Sequence, residues 1–140
     1  MAMTAALMMS GSVAQAQDVN IGRNNITLTS DLMTPETLWA MGRIGAAQAS
    51  PDGKKIVYQV GYYSVKENKG HQVLRVMDAD GKNDRLLTTS AKSEGDAAWL
   101  DNNTLAFLTG GQLWTMNADG TNRKQLTHSD IDIEGFRFSP

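Results

Sequence analysis

Short apolar runs alternate with polar turns from residue 55 onward, and each run is too brief for a helix. Apolar and β-branched residues cluster in four of these runs, which predicts strands over 56–60, 73–77, 105–108 and 112–116. Asp80-Gly81 and Asp119-Gly120 are typical of tight turns, and each turn leads into a further short strand, over 85–88 and 124–127. The pattern therefore predicts an all-β fold.

The pattern repeats along the chain. MDADGKNDRLLT, around Asp80, returns 39 residues later as MNADGTNRKQLT, around Asp119, and Trp99 and Phe138 are also 39 residues apart. An earlier copy opens with a Ser50-Pro51-Asp52-Gly53 turn, in which proline fixes φ and glycine takes the left-handed position. A repeat of about 40–50 residues with four short strands is typical of a β-propeller blade.

In the second copy the opening turn is Leu100-Asp101-Asn102-Asn103, where asparagine is expected to replace the glycine. The first copy is longer, and we assign the excess to a hairpin loop over 61–71. We expect an incomplete propeller over 46–140, with blades at about 46–90 and 96–130 and a third starting at about 135. Because the sequence stops at Pro140, within a third turn signal, it is predicted to be a fragment of a larger ring.

The first 45 residues differ from the repeats. Residues 1–17 are small, apolar and uncharged and end in Ala14-Gln15-Ala16, which is typical of a signal peptide lacking its basic start; a disordered tail is the alternative. Residues 18–45 are predicted to form an arm containing a short helix at about 35–41. Thr34 would cap this helix, Gly42 would end it, and Trp39 would anchor it by packing. The protein is then expected to be exported, to the periplasm or beyond.

Composition narrows the function classes. The 140 residues carry 13 basic and 15 acidic side chains and no cysteine, which argues against nucleic-acid binding, disulfides and thiol chemistry. No apolar run approaches the roughly 20 residues of a membrane span. We expect no cofactor and no metal, because His71 and His128 are interpreted as solvated loop histidines and Asp78-Ala79-Asp80-Gly81 as a hairpin turn rather than a calcium loop.

The repeats look like the WD40-like repeats that TolB-type proteins share with prolyl oligopeptidase-family peptidases. The residues concerned are Ser50–Lys54 and the segment from Leu113 to Gly120. Upstream, Leu32-Met33-Thr34-Pro35-Glu36-Thr37-Leu38-Trp39 followed by Gly42-Arg43-Ile44 resembles secreted acylaminoacyl-peptidases and dipeptidyl-peptidases of that family. The resemblance extends from about residue 32 to residue 140.

The resemblance implies a non-catalytic N-terminal propeller segment of an exported serine peptidase that cleaves short peptides. The propeller would gate access to a C-terminal α/β-hydrolase domain with a Ser-Asp-His triad, absent from this chain. No Gly-x-Ser-x-Gly motif occurs here, so no catalytic residue is assigned, and short peptides would be partners only of the missing domain.

Two alternatives stay open. A TolB-like periplasmic propeller would be a protein-binding module, although the roughly 30 residues before the first blade are too few for the separate domain that precedes TolB blades. Asp130, Asp132 and Glu134 could form an amine-recognising cluster like that of dipeptidyl peptidases, but alternating acids are more often a solvated face.

Overall fold

A computed structural model describes residues 31–139, so the signal-like segment and most of the N-terminal arm lie outside the described residues. The described part holds one short helix and two four-stranded antiparallel sheets, whose strands follow one another in sequence order. It is mostly β-structure, as the sequence predicts. The elements are α1 (Pro35–Ala40), then sheet A, comprising β1 (Arg43–Ala49), β2 (Lys55–Ser64), β3 (Lys69–Asp78) and β4 (Arg85–Leu86), and sheet B, comprising β5 (Glu94–Trp99), β6 (Thr104–Thr109), β7 (Gln112–Asn117) and β8 (Lys124–Gln125).

Helix α1 begins where the sequence predicts. The Thr34 hydroxyl accepts a hydrogen bond from the backbone N–H of Thr37 at 3.2 Å. Proline suits the first helical position, because an N–H there would have no partner within the helix. The helix ends at Ala40 with Met41 as its C-cap in extended backbone, so Gly42 lies directly after the helix end, as the sequence predicts. Glycine is needed there for space, since a Cβ would lie 2.7 Å from the Tyr62 ring.

Strands β2 and β3 extend further than the apolar runs predict. Their register is continuous over ten pairs, so that Tyr62 lies opposite His71 and Tyr63 opposite Gly70. The proposed long loop over 61–71 is therefore wrong, and only residues 65–68 connect the two strands. The pairing of the two extended strands satisfies backbone hydrogen-bonding groups that a loop would leave to water.

The first strand of each sheet is the one that the sequence defines least well. Strands β1 and β5 begin at Arg43 and Glu94, and each has a bulge two to three residues later, between Ile44 and Ala47 in one and between Gly95 and Ala98 in the other. Each pairs on only one side with another described strand. No strand is assigned between residues 126 and 139, so the third repeat unit stays a prediction.

The turns that open the two repeats are built differently. In the first, Gly53 has φ +70° and the Asp52 carboxylate accepts hydrogen bonds from the Ser50 hydroxyl at 2.7 Å and the Lys54 N–H at 3.2 Å, which confirms the predicted turn. In the second, neither asparagine is left-handed, so the predicted replacement of glycine is wrong. Instead Asp101 accepts hydrogen bonds from the backbone of Asn103 and Thr104 at 2.7 and 2.8 Å.

The two Asp-Gly turns confirm the sequence prediction. Gly81 and Gly120 have φ values of +83° and +86°, and each N–H donates to a carbonyl three residues back, at 2.9 and 2.8 Å. In each turn the asparagine two residues later is also left-handed, at φ +54° for Asn83 and +55° for Asn122. The β3–β4 and β7–β8 connections therefore share one backbone design.

Within residues 31–139, one apolar core lies between the two sheets. Its members are at most 2% exposed, and burying such side chains stabilises the fold by about 1.5–3 kcal/mol each. Sheet B therefore packs face to face on sheet A. The core comprises Val57, Leu74, Val76 and Leu87 on the side of sheet A, and Leu105, Phe107 and Met116 in sheet B.

Candidate functional site

A broad groove runs along the strand edges that have no described neighbour. Its volume is about 930 Å³, within the range of ligand clefts. Trp99 joins the two edges by donating its indole N–H to the Gln48 carbonyl at 3.1 Å. We call this the edge groove; it is lined by Ala46 and Gln48 of β1, by Asp96, Ala97, Ala98 and Trp99 of β5, and by Glu134, Gly135, Phe136, Arg137 and Phe138.

The edge groove combines carboxylates, one guanidinium and aromatic rings. Asp96 lies in the β5 bulge with φ +49°, an uncommon conformation for a side-chain-bearing residue, and its N–H donates to the Gln59 side chain at 3.3 Å. The Phe136 and Phe138 rings meet edge to face with their centroids 5.3 Å apart. Exposed strand edges and rings of this kind can hold an extended peptide, because the peptide can add to the backbone ladder while its side chains contact the rings.

The acidic residues singled out in the sequence do not all enter this groove. Of the three, only Glu134 lines it. Asp132 lies over Gly111, whose carbonyl accepts a 2.9 Å hydrogen bond from the Ile133 N–H, and Asp130 lies on the same exposed segment. All three carboxylates are exposed, as expected of a solvated face. Among residues 31–139, no group of three potential metal ligands comes together.

The two histidines differ in the structure. His128 is exposed and lies outside any strand, which confirms the sequence interpretation. For His71 that interpretation is wrong, because it is a β3 residue only 5% exposed, with its Nε2 3.3 Å from the Lys92 carbonyl. The reason is the continuous β2–β3 ladder, which carries His71 under the linker between the sheets.

A buried ion pair that the sequence does not predict lies within the second repeat, where sheet B meets the end of sheet A. Glu94 is 1% exposed, and Arg123 donates through Nη2 to its Oε1 and through Nη1 to the Leu87 carbonyl at 3.2 Å. The Arg123 guanidinium also lies over the Phe107 ring, 4.9 Å from its centroid. We call Glu94, Arg123, Leu87 and Phe107 the seam cluster, since it joins sheet B to the end of sheet A.

The charge of Glu94 is only partly compensated. Burial raises the pKa of this carboxyl, and the positive charge of Arg123 and the Thr88 hydroxyl lower it by less. Its Oε2 is buried and has no hydrogen-bond partner among the described residues. No short-range sequence signal could have revealed the pair, because its members are 29 residues apart and only Arg123 lies in a repeated segment, at a position where the first repeat has Asp84.

The described residues include no helix long and apolar enough to span a membrane, since α1 has six residues.

No protein-family model matches this chain. Two curated proteins named dipeptidyl-peptidase 5 do. That of Porphyromonas endodontalis is 35% identical over 118 residues, and that of Porphyromonas gingivalis is 36% identical over 119 residues. Each match covers 81% of this chain but only 17% of the relative, so the chain spans about a sixth of their length. It is thus a peptidase-related segment by sequence similarity.

Proposed function

We propose that the chain is the N-terminal propeller segment of an exported dipeptidyl peptidase of the prolyl oligopeptidase family. The observation that carries this proposal is the similarity to two dipeptidyl-peptidase 5 proteins over four fifths of the chain. The whole enzyme would release dipeptides from short peptides with a serine nucleophile. The Ser-Asp-His triad would belong to an α/β-hydrolase domain outside these 140 residues.

The two sheets have the features expected of consecutive blades of a propeller. They share strand order, the position of the bulge in the first strand and the Asp-Gly turn before the last strand. They also pack face to face, as neighbouring blades must, and β1 and β5 would then be the innermost strands around a central channel. The edge groove would lie on the channel wall, where peptides pass towards the hydrolase domain.

Dipeptide release by the full-length protein tests the proposal. The complete gene is expressed, and the purified protein is assayed with dipeptidyl 4-nitroanilides. We expect turnover that a serine-reactive fluorophosphonate abolishes and that the isolated 140-residue chain lacks. Because export is part of the proposal, we also expect periplasmic or secreted protein whose amino terminus, read by mass spectrometry, lies near residue 18.

Two results would overturn the proposal. A full-length protein that folds but releases no dipeptide from any substrate would remove the peptidase activity and favour the TolB-like binding module. A protein that stays in the cytoplasm with residues 1–17 still attached would contradict the proposed export.

A further inference from the structure

A second cleft, of about 490 Å³, lies where the β2–β3 hairpin extends past the start of β5. Three glycines from three adjacent strands form its floor: Gly45, Gly61 and Gly70. We call it the glycine-floored pocket; the other residues that line it are Arg43, Ile44, Gln59, Tyr62, Tyr63, His71, Gln72 and Ser93.

The pocket exists because these glycines carry no side chains. Gly61 and Gly70 share the face of sheet A that bears Gln59 and Gln72, since residues two apart on a strand face the same side. None of the three glycines is left-handed, and an added Cβ would come no closer than 3.5 Å to another atom. Backbone conformation therefore does not require glycine here, although glycine in a strand costs roughly 0.5–1 kcal/mol. Glycine at these three positions instead keeps the pocket open.

A positively charged group is held in position at the rim. The Arg43 guanidinium lies 4.7 Å from the centre of the Trp39 ring, and that ring lies 5.0 Å from the Tyr63 ring. Stacking occupies the guanidinium face, so that N–H groups on its edge stay available for a planar anion. One of them reaches the Leu38 carbonyl at 3.5 Å, a long hydrogen bond. Within residues 31–139, no carboxylate forms a salt bridge with Arg43.

The polar walls also offer donors. The Gln59 Oε1 accepts a hydrogen bond from the Asp96 N–H, so its Nε2 is the end that faces Gly45. The Ser93 oxygen accepts from the Gln72 N–H at 3.1 Å, which leaves its hydroxyl proton free to donate elsewhere. The pocket lining contains no Asp or Glu. One fixed cation, amide and hydroxyl donors and no carboxylate make this a pocket for an anion.

We propose that the glycine-floored pocket binds the carboxylate of a small ligand, such as the C-terminal carboxylate of a short peptide, with Arg43 as its bidentate partner. The planar guanidinium edge matches two carboxylate oxygens. A single guanidinium balances one negative charge, whereas phosphate carries more than one near neutral pH and the chain already has a net charge of −2. This assignment does not depend on the proposed peptidase function.

Binding of a defined peptide pair to the 140-residue chain tests the proposal. The probes are acetyl-Ala-Ala with a free carboxylate, the same peptide as its amide, and inorganic phosphate, all at 150 mM salt. Backbone amide shifts of Gln72 and Ser93 and the fluorescence of Trp39 report occupancy. We expect saturable binding of the free carboxylate and at least about 10-fold weaker binding of the amide and of phosphate, because a charged hydrogen bond is lost or mismatched.

Two variants locate the site, each with a matched control. Arg43→Gln should weaken binding at least about 10-fold, whereas Arg137→Gln, in the edge groove, should not. Gly61→Leu should fill the floor and abolish binding, whereas Gly135→Leu should not, since nothing lies within 4 Å of a Cβ at Gly135. If Gly61→Leu does not fold, Arg43→Gln decides. Equal binding of peptide and amide, equal binding of phosphate, or full affinity in Arg43→Gln would each overturn the proposal.

Discussion

Sheets A and B share the same backbone arrangement but differ in the side chains that they carry. Both have four antiparallel strands in sequence order, a bulged first strand and an Asp-Gly turn before the last. Aligned by strand and turn, the sheets differ in chemistry at several positions, and three of these carry side chains that interact with one another in the first repeat. Tyr58, Arg75 and Asp84 of the first repeat correspond to Phe107, Trp114 and Arg123 of the second.

The difference follows from what covers each face. Phe107 is fully buried because its face of sheet B packs on sheet A. The matching face of sheet A has no second sheet on it among the described residues, and its three side chains form a polar network. Arg75 donates to Asp84 at 2.6 Å and the Tyr58 hydroxyl donates to the same carboxylate at 2.7 Å. Equivalent positions of the two repeats therefore share the same backbone conformation, whereas the type of side chain at each position depends on whether its face of the sheet is covered.

The largest expected effect distinguishes the two faces. Phe107→Ala should lower the free energy of unfolding by about 3–5 kcal/mol, because it opens a cavity in the core. Tyr58→Ala, at the matching position, should cost about 1–2 kcal/mol, because it removes hydrogen bonds from a half-buried network. Urea denaturation of the 140-residue chain measures both. Equal losses would mean that the two faces are equally covered.

The second prediction concerns the entry into sheet A, which has no counterpart at sheet B. Gly42→Ala should destabilise the fold by about 1–3 kcal/mol, since its Cβ would lie 2.7 Å from the Tyr62 ring and 2.9 Å from Val60. Gly45→Ala is the matched control, because its Cβ would meet Gln59 at an ordinary 3.5 Å. The difference in thermal midpoint between the two variants is the readout, and no difference would refute the steric role of Gly42.

The third prediction sharpens what the sheets share. Gly81→Ala and Gly120→Ala should each cost about 1–2 kcal/mol, because alanine is strained at φ +83° and +86°. The two losses in urea denaturation should agree within experimental error. Unequal losses would show that the two turns, alike in backbone, differ in the contacts that surround them.

The smallest expected effect is a difference between two ion pairs, Asp84–Arg75 and Glu94–Arg123, in how the free energy of unfolding depends on pH. Hydrogen bonding to Arg75 lowers the pKa of Asp84, whereas burial raises the pKa of Glu94. The contribution of Asp84 is therefore present above its ordinary pKa of 3.8 and lost as pH falls through the lower folded pKa. That of Glu94 is fully present below 4.5 and lost as pH rises through its folded pKa.

Replacing each carboxyl by an amide distinguishes these two opposite pH dependences of stability. Relative to the parent chain, Asp84→Asn should weaken the loss of stability below pH 3.8, whereas Glu94→Gln should remove the loss of stability that the parent shows as pH rises above 4.5. Thermal midpoints recorded from pH 2 to pH 8 provide the test. A Glu94→Gln profile parallel to that of the parent would show that burial of the Glu94 carboxyl does not raise its pKa, and would contradict the account.

The sequence predicts the parts of the fold that short-range chemistry controls. The central strands, the N-cap at Thr34 and the left-handed glycines follow from alternation, capping and turn preferences, which act over a few residues. The edge strand β1 escapes prediction because its residues are exposed and show no alternation. His71 and the Glu94–Arg123 pair escape it because their burial depends on segments about 20 to 30 residues away.

Neither cleft could be predicted from single motifs. The edge groove joins β1, β5 and residues near 136, which are distant along the chain. The glycine-floored pocket depends on strand pairing that aligns three glycines, each unremarkable in the sequence. The sequence draws attention to Arg43 and Ile44 through a resemblance and to His71 as a histidine, but not to any of them as part of a ligand site.

The most direct test of the account is the DNA sequence downstream of the Pro140 codon. We predict that the reading frame continues with Asp-Gly, then with further repeats of about 40–50 residues, and finally with a Gly-x-Ser-x-Gly motif followed by Asp and His. A frame that closes after a ring of repeats, without that motif, would contradict the proposed peptidase and leave a binding module.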